Sequence, residues 1–260
     1  MSEWLVVTIL GLIEGITEFL PVSSTGHLLL AEHWLPEQSD LFNVVIQSGA
    51  VLAVIMVFQR RLVHLFQTWR EPASRDYVLK LALAFFLTGV GGLAIKKLGF
   101  RLPHDPVPVA LATLIGGVLF ILVEWWLRRH QPGEEVTWAA AAWMGVGQLL
   151  AAVFPGTSRS GVTILIGLGL GLSRPVATEF SFLLGVPTLV AAGGLETFHA
   201  LRHPAEESPH WGMILLASLM AAITAFLVVK WLLRFVQTHT FVGFGWYRIG
   251  LGLLVLFLAR

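Results

Sequence analysis

The chain has 260 residues, 56% of them hydrophobic and 13% charged, with a mean hydropathy of +0.77, too little polar surface for a water-soluble globule of this length. A formal net charge of +1 with no block of like charges argues against a basic arm for nucleic acid. The absence of cysteine excludes disulfides and thiolate metal sites.

In chain order, Met1 to Leu20 lacks the basic region and small-residue cleavage site of a signal peptide and carries Glu14 and Glu18, so it reads as mature sequence. A spanning helix needs about 20 mostly apolar residues. Six segments qualify: Leu41 to Phe58, Val78 to Ile95, Val107 to Leu127, Val176 to Leu195, Trp211 to Leu232 and Phe241 to Ala259. Two further regions, Trp4 to Leu35 and Val136 to Leu172, are apolar but interrupted at Pro21 and Pro155. Proline removes a backbone donor and clashes with the preceding turn, so each region is predicted to form two helices meeting at a turn. Trp125, Trp138, Trp143, Trp231 and Trp246 lie near segment ends, where an aromatic belt would sit.

The interrupted regions align at an offset of 134 residues. Gly11 matches Gly145, Glu14 matches Gln148, Pro21 matches Pro155, Ser23 matches Thr157, Ser24 matches Ser158, and Gly26 matches Gly161 after one inserted residue. The expected fold is an all-α polytopic membrane protein in a single domain, with two inverted-topology repeats covering about 1–130 and about 131–260. Each repeat is a broken helix pair followed by three spans, and its polar site is expected where the two interruptions meet. Ten Lys and Arg between Arg60 and Arg234 fall on one side; Lys96, Lys97, Arg101, Arg202 and Arg260 fall on the other. The positive-inside rule then puts both termini and the first broken pair outward.

Two polar stretches, Glu14 to His27 (EGITEFLPVSSTGH) and Phe154 to Thr163 (FPGTSRSGVT), stand out because charges at membrane depth are costly. Glu14 and Glu18, four apart, share a helix face and could bind a hard cation, divide into base and charge holder, or face solvent. Ser23, Ser24, Thr25 and Gly26 either cap the second half-helix or bind phosphate at its N-terminus. His27 lies on the face of Ser24, near enough to exchange a proton, although a lone histidine is often structural. Arg159 needs a partner, either Glu14 and Glu18 or an anionic substrate, while Ser158, Ser160 and Thr163 offer donors and Gln148 adds a neutral one. Glu124 is expected to snorkel, Glu179 to sit in the first turn of a helix, and His199, His203 and His210 to lie in a solvated loop with Glu196, Glu206 and Glu207.

These two stretches resemble those of the undecaprenyl-diphosphatase, or bacitracin-resistance, family, and the resemblance spans essentially the whole chain. It implies a bacterial plasma-membrane enzyme that hydrolyses undecaprenyl pyrophosphate to undecaprenyl phosphate and inorganic phosphate, recycling the carrier for peptidoglycan and conferring bacitracin resistance. It further implies a site open to the outer face, catalytic residues Glu18, Ser24, His27 and Arg159, and a divalent cation, Mg²⁺ or Ca²⁺, at Glu14 and Glu18. Substrate contacts are expected from Ser23, Thr25, Gln148, Ser158, Ser160 and Thr163. The bilayer and the lipid diphosphate are the expected partners, nucleic acid is not, and the oligomeric state is left open with a homodimer as one option. A transporter or lipid flippase with a midplane phosphate site is the rival reading, since such architecture is common among carriers.

Overall fold

The computed structural model describes residues 1–98, 105–202 and 210–259, which leaves Arg101, Arg260, His203, Glu206 and Glu207 outside the described residues. The described residues form eleven helices. The first broken region gives α1 (Glu3–Thr17) and α2 (Ser24–Glu32), separated by a turn that contains Pro21. Then follow α3 (Asp40–Val57), α4 (Gln59–Gln67), α5 (Pro72–Lys97) and α6 (Pro106–Leu127). The second broken region gives α7 (Trp138–Val153) and α8 (Arg159–Gly169), again parted at the proline, and α9 (Arg174–Arg202), α10 (Trp211–Phe235) and α11 (Val242–Leu258) complete the chain.

Five of these, α3, α5, α6, α9 and α10, are long and apolar enough to cross a membrane, so the protein is an all-helical polytopic membrane protein. The sixth expected span is shorter than predicted, because α11 begins only after Phe241 and has 17 residues. It is nonetheless apolar and lies along α6. Helix α4 was not expected: its apolar residues Leu62, Val63, Leu65 and Phe66 are too few to fill a spanning window. α5 starts six residues ahead of Val78, since Glu71 is extended (φ −73°, ψ 135°) and Pro72 suits a first helical position.

Close helix approaches position the broken pairs. A side chain on Gly11 would lie 2.9 Å from the Ala217 Cα of α10, and one on Gly145 would lie 2.6 Å from the Ala84 Cα of α5. Glycine at these matched positions therefore brings α1 against α10 and α7 against α5. The turn after α1 is anchored by Phe19, fully buried and edge-to-face on Phe182 of α9 with centroids 5.2 Å apart.

One end of the bundle is tied by ion pairs. Arg174 donates to Glu124 through Nε (2.8 Å) and Nη2 (2.6 Å), and Glu124 Oε1 also accepts from the Phe241 amide at 2.8 Å. Glu124 is fully buried, which corrects the snorkelling expectation: its carboxylate fastens α6 to α9 and to the start of α11. Glu179 lies in the second turn of α9, not the first, and accepts from Arg61 Nε at 3.1 Å and Tyr77 Oη at 3.4 Å. Glu196 and His199 belong to α9 and His210 precedes α10, so these three are not in a loop cluster.

Candidate active site

Both turns are capped by a serine in the left-handed region. Ser23 (φ 75°, ψ 94°) accepts from the Gly26 amide at 3.2 Å, and Ser158 (φ 69°, ψ 114°) accepts from the Gly161 amide at 3.1 Å. Residues with side chains occupy this region rarely and at a cost of order 1–3 kcal/mol, which the surroundings must hold in place. Ser23 and Ser158 are thus structural equivalents. The inserted residue of the second stretch falls before its serine cap rather than after it, so Ser24 corresponds to Arg159 and not to Ser158.

That register places the chemistry. Ser24 and Arg159 are each the first residue of a half-helix, and both bond to one carboxylate. Ser24 Oγ donates to Glu18 Oε2 at 2.8 Å, and Arg159 Nη2 donates to Glu18 Oε1 at 3.0 Å. The Glu18 and Arg159 side chains are only 6% and 11% exposed, so the pair is electrostatically strong but expensive to desolvate. Arg159 lies over the Phe19 ring, 5.3 Å from its centroid, and its Nη1 donates to the Ser181 carbonyl at 3.3 Å. Gly185 makes room for it, because a side chain there would come within 2.7 Å of Arg159 Cζ. Ser160 Oγ joins the turns, bonding to the Glu18 and Leu20 carbonyls, both at 3.1 Å.

Other expected residues divide. Ser23 and Ser158 are caps at the cluster, whereas Thr25 is exposed. Thr163 is fully buried, and its hydroxyl bonds to the Arg159 and Ser160 carbonyls and, at 2.6 Å, to Ser181 Oγ, so it holds α8 to α9. Gln148 Nε2 donates to Thr88 of α5 at 2.8 Å. His27 does not bond to Ser24: Nδ1 lies 2.7 Å from the Ser23 carbonyl and Nε2 lies 2.7 Å from Tyr247 Oη.

Glu14 is fully buried and neither carboxylate oxygen has a hydrogen-bond partner. No group of three or more His, Cys, Asp or Glu among the described residues could hold a metal with protein ligands alone. Glu14 with neighbouring Glu18 nevertheless fits a hard ion of the Mg²⁺ type, which commonly takes one or two carboxylates and completes its shell with phosphate oxygens and water.

Arg248, in α11, was missed. It is fully buried and donates to five carbonyls: Nε to Thr113 (3.1 Å), Nη1 to Pro21 (3.1 Å), and Nη2 to Ala112 (3.3 Å), Gly156 (3.2 Å) and Thr157 (3.1 Å). It therefore clamps the first turn to the second. A usable signal existed: of 17 Lys and Arg, only Arg159 and Arg248 lie away from segment ends.

Beside the cluster, an apolar groove of about 370 Å³ runs between α1 and the α10–α11 pair, lined by Ile16, Leu20, Trp231 and Phe244 and, on its polar side, by His27 and Tyr247.

Residues 7–254 match the family described as bacitracin resistance protein BacA. The chain is 47% identical to the undecaprenyl-diphosphatase of Rhizobium etli (strain CIAT 652) over 99% of this chain and 97% of that protein. It is 46% identical to the undecaprenyl-diphosphatase of Xylella fastidiosa (strain 9a5c) over 98% of each, and 46% identical to that of Xanthomonas oryzae pv. oryzae (strain PXO99A) over 98% and 97%. The chain belongs to the bacitracin resistance protein BacA family. The match covers both turns and most of α11, so Glu18, Ser24, Arg159 and Arg248 all lie within the matched residues.

Proposed function

We propose that the protein is an undecaprenyl-diphosphatase, hydrolysing undecaprenyl pyrophosphate to undecaprenyl phosphate and inorganic phosphate and so recycling the lipid carrier for peptidoglycan. The observation that carries the reaction into this site is the single Glu18 carboxylate held between Ser24 and Arg159. Phosphoryl transfer needs in-line positioning and charge neutralisation, and two half-helix N-termini with an arginine fork provide both.

Arg159 and the first-turn amides of α2 and α8 hold the diphosphate. As Ser24 Oγ bonds to the terminal phosphorus, its proton passes to Glu18 Oε2 and the bridging P–O bond breaks, with the electron pair leaving on undecaprenyl phosphate. Water then attacks the phosphoserine phosphorus, giving a proton to His27 Nε2, while the P–Oγ bond breaks and Ser24 Oγ takes back the proton held on Glu18 Oε2, and inorganic phosphate departs. Glu14 and Glu18 would hold the divalent cation, whose contribution is to neutralise charge on the diphosphate oxygens. The prenyl chain lies in the groove that ends at His27. Phosphate trapped on Ser24 during turnover supports the serine route; a competent enzyme that never carries it makes water the nucleophile.

The two-repeat organisation, about 1–130 and about 131–260, is part of this reading. It is supported by the equivalent serine caps and by the exchanged packing of α1 on α10 and α7 on α5. A bacterial plasma-membrane location agrees with the family, and a site opening outward is supported by the concentration of Lys and Arg at the opposite side. Phosphate release from a C55 diphosphate by detergent-solubilised protein tests the activity. Hydrolysis needs no second compartment, so a protein that only transports releases none.

A further inference from the structure

We propose that Tyr247 is a positioning residue for this reaction, its hydroxyl donating to Nε2 of the Nδ1-protonated His27 ring and orienting that nitrogen for proton transfer. The inference rests on the reading of His27 as the proton acceptor. A backbone carbonyl can only accept, so the 2.7 Å contact between His27 Nδ1 and the Ser23 oxygen requires the proton on Nδ1. In the neutral ring Nε2 then carries the lone pair, and Tyr247 Oη, 2.7 Å away, is the donor to it. Pinned at both nitrogens, the imidazole lies nearly parallel to the phenol ring (7° between planes, centroids 5.6 Å apart). Tautomer and ring orientation are fixed together.

Both ends of this chain of bonds are anchored to the site. The Ser23 carbonyl belongs to the capping residue with φ 75°, directly before Ser24. Tyr247 precedes Arg248, whose bonds to Pro21, Gly156 and Thr157 fix α11 against both turns. His27 and Tyr247 also line the same groove, so the Nε2 lone pair lies where the lipid-linked diphosphate enters. In serine proteases, replacing the acid that orients the catalytic histidine lowers kcat by about 10⁴. Tyr247 is 51% exposed, and replacing it with phenylalanine removes one oxygen without opening the core.

The test compares purified full-length Tyr247→Phe, His27→Gln and the double variant on a C55 diphosphate in detergent. Tyr247→Phe is expected to lower kcat about 10- to 100-fold, within the range general-base catalysis supplies, with KM and the thermal midpoint unchanged. The double variant is expected to be no slower than His27→Gln alone. In ¹⁵N-histidine-labelled protein, the resonances absent from His27→Gln are expected to report one Nδ1-protonated tautomer, with the Nε2 resonance shifted in Tyr247→Phe by the loss of its hydrogen bond. Full activity of Tyr247→Phe beside an impaired His27→Gln overturns the positioning role and leaves the site reading standing. Losses that multiply in the double variant overturn it too, because Tyr247 then acts independently of His27. Unimpaired His27→Gln removes the histidine from the reaction and the inference with it.

Discussion

The turn before α2 and the turn before α8 have nearly the same backbone, each with a serine cap near φ 70° and a glycine amide bonded back to it, yet they carry opposite charge. Glu18 precedes the first turn, while the matching position in the second region is Ala152; Ser24 opens α2, while Arg159 opens α8. One geometry used twice thus supplies the two helix ends of the proposed phosphate site, and the side chains divide the work. In the proposed mechanism the first turn brings carboxylates and the attacking serine, and the second brings the permanent cation. Because Glu18 accepts from both, neither turn is complete alone.

Arg248 is where the comparison breaks most readily, since among the described residues it alone bonds to carbonyls of both turns. Arg248→Gln leaves several of those carbonyls without donors at about 1–3 kcal/mol each, so loss of the folded protein on heating and of phosphate release are both expected. An unchanged thermal midpoint would mean that the turns hold together without it.

Glu14→Gln sharpens the charge asymmetry. Gln148 occupies the equivalent place in the second region, so the variant makes the two regions alike there. The Mg²⁺ concentration for half-maximal phosphate release is expected to rise about tenfold or more, since a carboxylate ligand is lost. EDTA is expected to silence the wild type, with activity restored by added Mg²⁺. Wild-type turnover at full rate in EDTA would remove the cation from the site.

Ser23→Ala and Ser158→Ala test the backbone equivalence. Each cap is expected to be worth about 1 kcal/mol, read as similar falls in thermal midpoint for the two variants. A large fall for one and none for the other would separate the turns energetically. Thr25→Ala is expected to stay within about twofold of normal turnover, as surface hydroxyls away from a partner contribute little.

The broken helices were legible because Pro21 and Pro155 interrupt apolar runs and are followed by hydroxyl residues, a pattern with few other structural readings. The cluster's members were legible for the same reason, but not their pairing: Ser24 was expected to partner His27, three residues on, and instead bonds to Glu18 across the proline turn. Long-range partners explain the other misses. Glu124 sits among Trp125, Trp126, Arg128 and Arg129, which reads as an interface, while its true partner Arg174 is 50 residues away. Arg248 stands out as a charge inside the apolar run of α11, but nothing local reveals that Pro21 lies beside it or that His27 lies beside Tyr247.

Phosphate release by Glu18→Gln, Arg159→Lys and the double variant most directly tests whether one carboxylate unites the two turns. Each single change is expected to lower turnover by about 10²- to 10³-fold, because a neutral amide cannot accept Ser24's proton and a lysine cannot reproduce the arginine fork. The double variant is expected to lose little more than the worse single one, as for residues that act as a unit. Near-normal turnover by Arg159→Lys, or losses that simply multiply, would show that the two turns work separately.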